Sequence, residues 1–274
     1  MQIVMDKKAV KASFSKAAIH YDLFAELQRE VGHQLLALSI PNINSMNKVL
    51  DLGCGTGYFS EILNKMQFAT NSSFLNKSNQ QTQLTCFDLS HQMLQQAANR
   101  QLLNCQYVEG DIDQLPFAKP LFDFVFSSLV LQWSQRLSLS LQQIKETLQT
   151  DATFAFSTLL DGSLIELKEA WRVVDNEKHI NQFLTLDELK TSLKTTGFKQ
   201  VKIKIQTHTQ QYKDVVSVMK ALKGIGANHV HESNKSRITG RSLLKKLEAG
   251  YAPYRDEMGL YPLSYQVCYV IIKQ

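Results

Sequence analysis

Residues 48–63, KVLDLGCGTGYFSEIL, are the segment that most clearly indicates the fold of this chain. It combines a short apolar strand, a glycine-rich turn and the start of a helix. The turn contains Gly53, Gly55 and Gly57. Glycine lets a backbone turn sharply and approach a ligand closely. A dinucleotide-binding loop would need its third glycine at position 58, where this chain has Tyr58. Since the loop lacks the dinucleotide pattern, it is not expected to hold a phosphate. Asp51 is therefore predicted to face a cationic ligand or a water molecule.

Strands and helices alternate from this motif onward. Further strands are predicted at 84–90, 105–111, 121–133 and 153–160, and helices at 91–102 and 136–149. Such alternation indicates βαβ units and a mostly parallel sheet. Residues 69–83 are polar, which predicts a loop inserted before the second strand.

Helical additions surround this core. Apolar residues at three- and four-residue spacing predict a helix over 7–39. After residue 160, helices are predicted at 163–176, 185–196, 212–223 and 240–250, with strands at 198–209 and 263–273. We therefore predict a single α/β domain over residues 1–274, Rossmann-like, with a mostly parallel seven-stranded sheet. Its parts are an N-terminal helical cap (7–40), a ligand-binding core (47–160), substrate-side helical additions with one strand that form a lid (161–262), and a final strand (263–273).

The segment from Asp51 to Gly57 resembles the first motif of the class I methyltransferases that use S-adenosylmethionine (SAM). In that family, carboxylate, backbone and ribose contacts replace phosphate binding. The resemblance implies that Asp88 accepts the ribose hydroxyls, that Asp111 accepts the adenine amino group, and that Ser128 lies beside the methionine end. The residues implied to bind SAM are Asp51, Gly53, Gly55, Gly57, Asp88, Leu89, Asp111, Ile112 and Ser128.

Longer segments resemble one branch of that family, the biotin-pathway methyltransferases (BioC type) that esterify the free carboxyl of a malonyl thioester. The segments are SFSKAAIHYDLFAELQ (13–28), LVLQW (129–133), STLLDGSLIELKEAW (157–171), LKGIGANH (222–229), TGRSLLKKLEAGYAPYR (239–255) and GLYPLSYQVCYVIIK (259–273), together with Val174, Asp175 and His179. They cover nearly the whole chain, including late helices that generic methyltransferases lack. The chain departs from the branch in its longer insertion at 69–83 and in having Gln149, Thr150 and Asp151 where a Pro-Gly turn is usual.

The resemblance implies a reaction and a partner. SAM would be the co-substrate, and methylation would mask the ω-carboxylate as a neutral ester, so that fatty-acid enzymes can elongate the malonyl unit toward a pimeloyl ester. The thioester carrier in this branch is acyl carrier protein, which is acidic. Coenzyme A remains open as an alternative carrier.

The acceptor chemistry guides the choice of substrate-binding residues. A carboxylate is already ionised at pH 7, since carboxylic acids titrate near about pH 4, and no general base is therefore required. The protein must orient the carboxylate, which a planar arginine fork does well. The candidate arginines, in order of preference, are Arg241, Arg237 and Arg172. The alternative for each is an ordinary surface arginine.

Other candidates flank the expected methyl group. Tyr21 is predicted to close over the methyl, and Gln132 and Trp133 follow the fourth strand, where acceptors approach in this fold. Packing between helices is the alternative for Tyr21, and a place in the core is the alternative for Trp133. Asn228 and His229 are candidates for substrate contact in the lid region.

Charge is distributed unevenly along the chain. The formal net charge is +5, but Lys190–Lys246 contains thirteen lysines and arginines against two acids, Asp214 and Glu232. This segment is predicted either to meet an acidic or phosphorylated partner, such as acyl carrier protein, or to be a solvated basic surface. No aromatic-interleaved basic motif or helix-turn-helix pattern indicates nucleic acid.

Composition narrows the remaining classes. With 44% hydrophobic and 20% charged residues and no apolar run of about 18 residues, the chain is expected to be soluble, with no membrane partner. Four cysteines without paired spacing indicate a reducing, cytoplasmic location. His229 and His231 are the closest histidine pair and have no third ligand nearby, so no metal site is predicted. A monomer is expected.

Three rival functions remain. One is a SAM enzyme acting on another small acceptor, such as a free acid, a coenzyme A ester or a quinone precursor. A non-catalytic binding protein with the SAM fold would usually have lost the glycines or the strand-end acids, and both are retained here. A nucleic-acid methyltransferase would be expected to carry an NPPY-type tetrapeptide for a flipped base, and none occurs.

Overall fold

A computed structural model of the chain describes residues 6–72, 82–117, 119–175, 177, 179–227 and 240–274, apart from the side chains of 68–72 and 241. The strands in this part of the chain are β1 (Lys48–Leu52), β2 (Gln83–Asp88), β3 (Cys105–Glu109), β4 (Phe122–Ser128), β5 (Leu148–Leu159), β6 (Gln200–Tyr212) and β7 (Tyr261–Lys273). They form one sheet in the order β3-β2-β1-β4-β5-β7-β6. β1 to β5 run parallel, and β7 pairs antiparallel with both β5 and β6. The predicted α/β fold with a mostly parallel seven-stranded sheet is confirmed.

The helices in the described residues are α1 (Lys7–Ala17), α2 (Tyr21–Phe24), α3 (Glu26–Ser39), α4 (Tyr58–Ser72), α5 (His91–Ala98), α6 (Leu137–Thr147), α7 (Ile165–Val174), α8 (Leu186–Thr196), α9 (Val215–Gly224) and α10 (Gly240–Tyr251). None of these helices is long and apolar enough to cross a membrane. Apolar clusters fill both faces of the sheet. Val49, Leu50 and Leu52 of β1 are fully buried, the pattern of a parallel strand covered on both sides.

The predicted single helix over 7–39 is wrong in detail, because the chain breaks twice. α1 ends at Ala17, α2 is a single turn, and α3 begins at Glu26. These breaks let the chain bend around the carboxyl edge of the sheet. Leu23, which contributed to the helical pattern, is 77% exposed at the bend.

Two other boundaries differ from the sequence prediction. β4 ends at Ser128 rather than continuing to 133, since Leu129 adopts φ +55° and Leu131–Trp133 forms a 3-10 turn. α4 continues to Ser72, past the predicted start of the polar insertion at 69. The rest of that insertion, 73–81, lies outside the described residues.

Candidate active site

The glycine turn is hydrogen-bonded to the neighbouring strand. The amides of Gly53 and Cys54 donate to the carbonyl oxygen of Phe87 at 2.7 and 2.9 Å. The amide of Gly55 donates to Oδ2 of Asp88 at 2.9 Å. The turn and the end of β2 therefore form one unit at the carboxyl edge of the sheet, which is where ligands bind in open α/β folds.

Gly57 is required for this close approach. Its φ is +79°, and a Cβ atom at this position would lie 2.9 Å from the backbone of Ala97 in α5. Any side chain would push α5 away from the turn. This cradle fits a ligand held mainly by backbone and carboxylate groups, as SAM is in the family that the turn resembles.

Asp88 is half-buried at the end of β2. Besides the amide of Gly55, its carboxylate accepts the amide of Ser90 at 2.8 Å. Burial raises the pKa of Asp88 to about 6, against the lowering effect of the amides of Ser90 and Gly55. Its place beside the turn fits the predicted role as acceptor for two ribose hydroxyls, and Leu89 follows it directly, half-buried.

Asp51 is a buried carboxylate with one neutral partner. Asp51 is 2% exposed, and its carboxylate accepts a hydrogen bond from the hydroxyl of Ser60 at 2.6 Å. Burial raises the pKa of Asp51 to about 7, the hydrogen bond from Ser60 lowers it, and the negative charge of Asp88 raises it further. A buried acid with a perturbed pKa is typical of a functional site, and it suits a cationic ligand.

The end of β3 carries an acidic pair joined by a lysine from the cap. Nζ of Lys7 lies 2.6 Å from Oδ1 of Asp111 and 2.9 Å from Oδ2 of Asp113. Burial raises the pKa of Asp113, but hydrogen bonds from Ser134 and Ser140 and other donors outweigh it and hold the pKa at about 2. Sequence reasoning missed Asp113 and Lys7. Ile112 between the two acids is buried, and its role in binding the cofactor stays a prediction.

The predicted residue at the end of β4 lies beside β5. The hydroxyls of Ser128 and Ser157 are 3.1 Å apart. This contact places Ser128 at the same edge of the sheet as Asp51 and Asp88.

The cap is fastened across this edge through Asp22. Its carboxylate accepts the hydroxyl of Thr56 at 2.6 Å and a guanidinium N–H of Arg100 at 2.9 Å. Arg100 also donates to the carbonyl oxygen of Thr56 at 2.7 Å and to Glu61 at 2.9 Å. The sequence offered no local signal for this cluster, because its members come from α2, the turn, α4 and the residue two beyond the end of α5.

A cavity of about 230 Å³ lies between the cap, the end of β4, α7 and α9. Tyr21, Gln132 and Trp133 all line it, so the structure brings these three predicted residues together. The rings of Phe14 and Trp133 meet edge to face with centroids 5.3 Å apart. Trp133 thus connects α1 to the cavity wall.

Two polar groups on the wall are already oriented. Nε2 of Gln132 donates to the carbonyl oxygen of Leu129 at 2.7 Å, and its Oε1 lies 3.4 Å from Oγ1 of Thr158. Burial raises the pKa of Tyr21 well above its ordinary value, and the nearby charges of Asp88 and Asp22 add to the shift. The Tyr21 hydroxyl therefore stays protonated and can act as a hydrogen-bond donor.

The structure adds a histidine that sequence reasoning had not singled out as a site residue. His179 lines the cavity and stacks on Trp171, with ring centroids 3.8 Å apart. Its Nε2 lies 2.7 Å from Oδ1 of Asp175. Both residues stood in the segments that resemble the BioC branch, which was the available signal. Among the described residues, no group of three or more side chains suited to metal binding occurs.

The predicted arginines are not brought to this cavity in the described part of the chain. Arg172 is on the exposed side of α7, with its side chain 64% accessible, and it pairs with Glu169 at 2.6 Å. Arg237, Asn228 and His229 lie outside the described residues, and so does the side chain of Arg241. None of the described residues that line the cavity is a lysine or an arginine.

Asp51 leads to a testable consequence for stability. The pKa of the Asp51 carboxyl is about 7 in the folded protein, against 3.8 for the unfolded chain. The folded state therefore binds the proton more tightly, and the stability falls as pH rises through this interval. Because each pKa unit corresponds to about 1.4 kcal/mol, Asp51→Asn is expected to raise the free energy of unfolding without ligand at pH 8 by on the order of 2–4 kcal/mol. Urea unfolding measures this change.

At pH 5 the increase in the free energy of unfolding caused by Asp51→Asn should be less than half as large, because the Asp51 carboxyl of the folded wild-type protein is already neutral. Asp151→Asn, at an exposed position of β5 with φ +61°, is the matched control and should change stability little at either pH. A destabilised Asp51→Asn protein at pH 8 would contradict the assignment of Asp51 as a costly buried acid.

Comparison with solved structures identifies the fold class of this chain. The chain superposes on the YcgJ protein of Bacillus subtilis with a TM-score of 0.57 and 14% identity, over 88% of this chain and 98% of the other. It superposes on a SAM-dependent methyltransferase from Archaeoglobus fulgidus with a TM-score of 0.51 and 17% identity, over 93% and 99% of the two chains. At these identities the likeness shows the fold alone, which is the class I methyltransferase fold.

Comparison of sequences shows the family. A family model described as a methyltransferase domain matches residues 21–203. The malonyl-[acyl-carrier protein] O-methyltransferase of Serratia marcescens is 37% identical over 98% of this chain and 96% of its own, and that of Yersinia pestis is 34% identical over 98% and 92%. The resemblance found in the sequence is confirmed: the chain is a SAM-dependent methyltransferase and belongs to the family of malonyl-[acyl-carrier protein] O-methyltransferases.

Proposed function

We propose that this enzyme transfers the methyl group of SAM to the free carboxylate of a malonyl thioester carried by acyl carrier protein. The product is the malonyl methyl ester, which would start pimeloyl synthesis for biotin. A relative from Cellvibrio japonicus, 34% identical over 98% of this chain, is named a biotin biosynthesis bifunctional protein, which supports the pathway.

One observation carries the proposal. The general methyltransferase model matches only residues 21–203, whereas the relatives named for the malonyl carrier align over nearly the whole chain. The additional alignment includes α9, α10 and β7. The cavity lined by Tyr21, Gln132 and Trp133 is where the acceptor would bind, and we call it the acceptor cavity. Met219 and Leu222 of α9 and Tyr265 of β7 also line it, so the similarity extends to the part of the protein that would meet the acceptor.

The reaction asks little acid–base chemistry of the protein. SAM supplies a methyl group on a positively charged sulfur, and the acceptor carboxylate is ionised at neutral pH because carboxylic acids titrate near about 4. The residues must therefore align the acceptor and exclude water. Good alignment lowers the activation free energy of methyl transfer by about 7–11 kcal/mol. Phe14, Trp133 and Leu129 provide apolar walls for this purpose.

The polar groups of the wall are suited to hold the acceptor carboxylate. The hydroxyl of Tyr21 stays protonated and can donate a hydrogen bond to a carboxylate oxygen. Asp175 holds one ring nitrogen of His179, and the ring stacks on Trp171. With both ring nitrogens protonated, the second N–H is left to donate to the substrate carboxylate. Burial raises the pKa of Asp175, but the hydrogen bonds from His179 and the amide of Glu177, together with nearby positive charge, outweigh burial and keep the pKa below its ordinary value. We assign His179 as a carboxylate-binding residue on this geometry.

The first test is intact-mass analysis of malonyl-acyl carrier protein after incubation with the enzyme and SAM. A gain of one methyl group, about 14 Da, is expected on the malonyl form. Acetyl-acyl carrier protein lacks the free carboxylate and is expected to stay unchanged. Intact SAM binding without any gain on malonyl-acyl carrier protein would contradict the proposal and direct the search to free acids and coenzyme A esters.

The second test addresses His179. His179→Ala is expected to raise KM for malonyl-acyl carrier protein by roughly tenfold, because a hydrogen bond to a charged group is lost, while the Kd for SAM stays unchanged. Asp175→Asn should give a smaller rise in KM, and exposed Glu177→Gln in the same loop is the matched control. An unchanged KM in a folded His179→Ala protein would contradict the assignment.

A further inference from the structure

A second space opens beside the acceptor cavity, between the cap and α9. This groove, of about 140 Å³, is lined by Leu23 and Phe24 of α2, Ala221 of α9 and Tyr212 at the end of β6. Its floor is formed by Leu27, Gln28, Ile225 and Tyr265, and these four residues also line the acceptor cavity. The groove and the cavity are therefore neighbours that share a wall of four side chains.

The packing of the groove is close where the cap meets α9. A Cβ atom on Gly224 would lie 2.3 Å from the ring of Phe24. This glycine lets α2 approach α9 and sets the width of the groove. Leu23, next to Phe24, is nevertheless 77% exposed at its outer rim, so an apolar side chain faces solvent at the mouth.

The shared wall contains a buried acceptor atom. Within the described residues, Oε1 of Gln28 is inaccessible to solvent and has no hydrogen-bond partner. A buried carbonyl oxygen without a donor is costly, so such an atom is usually satisfied by something that binds there. Its position between groove and cavity suits a ligand that carries an amide N–H and passes from one space to the other.

The surface around the mouth is basic. Lys213, Lys220 and Lys223 are exposed, and the two on α9 flank Ala221 of the groove. Acids also lie nearby: Glu26 lines the groove, Glu30 lies 3.4 Å from the groove-lining Gln210, and Asp214 accepts the amide of Ser217 at 2.6 Å as the cap of α9. Hydrogen bonds from Ser217 and the charges of Lys213 and Lys220 lower the pKa of Asp214. An acidic protein docking here would meet positive charge around an apolar opening.

We propose that this groove admits the pantetheine arm of the acyl carrier protein, with Gln28 accepting an amide N–H of the arm and Lys220 and Lys223 receiving the acidic carrier surface. The proposal rests on the proposed function and specifies its route of substrate access. The arm is a narrow chain with two amide groups, and it ends in the thioester that must reach the acceptor cavity. On this route the thioester end crosses the shared wall beside Gln28 while the carrier remains outside.

Two substrates separate the arm from the carrier. Malonyl-acyl carrier protein presents both, whereas malonyl-pantetheine presents the arm without the protein. The double variant Lys220→Glu, Lys223→Glu is expected to raise KM for malonyl-acyl carrier protein by roughly tenfold through lost electrostatic steering, and to leave KM for malonyl-pantetheine unchanged. Lys204→Glu is the matched control, since Lys204 is exposed on β6 and lies eight residues from Tyr212, roughly 25 Å along the strand.

Variants of the groove itself should affect both substrates. Ala221→Trp is expected to obstruct the groove and raise KM for each. Gln28→Leu keeps the size of the side chain but removes the acceptor, and should raise KM for each by roughly threefold to tenfold. The Kd for SAM, measured for every variant, shows that the protein is folded and that its cofactor site is intact.

The outcomes distinguish the route from the reaction. Wild-type turnover together with unchanged KM in folded Ala221→Trp and Gln28→Leu proteins would overturn the groove as the route. An equal effect of Lys204→Glu and the double variant would overturn α9 as the docking surface. If the wild-type enzyme binds SAM but methylates neither substrate, the proposed function fails, and this inference fails with it.

Discussion

The guanidinium of Arg100 joins the parts of the chain on which the cofactor site depends. It lies just beyond the end of α5 and holds Asp22 of the cap, the carbonyl oxygen of Thr56 in the glycine turn, and Glu61 of α4. The hydroxyl of Thr56 adds a second link between Asp22 and the turn. Because Tyr21 precedes Asp22, the same cluster fixes the position of the tyrosine over the acceptor cavity. Cofactor site and acceptor site are therefore assembled by one set of charged contacts.

The carboxyl edge of the sheet gathers more negative charge than stability alone would favour. Asp51 and Asp88 are held where burial raises their pKa values, while Asp111 and Asp113 share the positive charge of Lys7 of the cap. The two sets have different consequences. The unpaired set favours a positively charged ligand, and the paired set fastens α1 across the end of β3. The cap thus covers the site without neutralising the carboxylates nearest the glycine turn.

Local patterns predicted the sheet, the turn and most helices, because strand and helix periodicity and the glycines act over a few residues. Strand ends predicted Asp88, Asp111, Gln132 and Trp133 at one edge of the sheet, whereas Tyr21 was chosen as a residue of the N-terminal helix that could close over the SAM methyl. They missed the breaks in the cap, where Leu23 preserves helical spacing although it faces solvent. They also missed the pairing of Asp22 with Arg100, because 78 residues separate the partners. Arg172 was favoured for its chemistry alone, and the turn of α7 directs it to Glu169 instead. His179 was visible in a matching segment, but its partners Trp171 and Asp175 became meaningful only in three dimensions.

The contacts of Asp22 and Arg100 imply that the cap and the glycine turn act as one unit around SAM. Hydrogen–deuterium exchange of the full chain, with and without SAM, tests this when Asp22→Asn is measured in parallel. We expect SAM to slow exchange in residues 7–24 and 53–57 together, and Asp22→Asn to lose much of the protection in 7–24. Protection of 53–57 by SAM with no change in 7–24 would contradict it, and would show that the cap is independent of the cofactor.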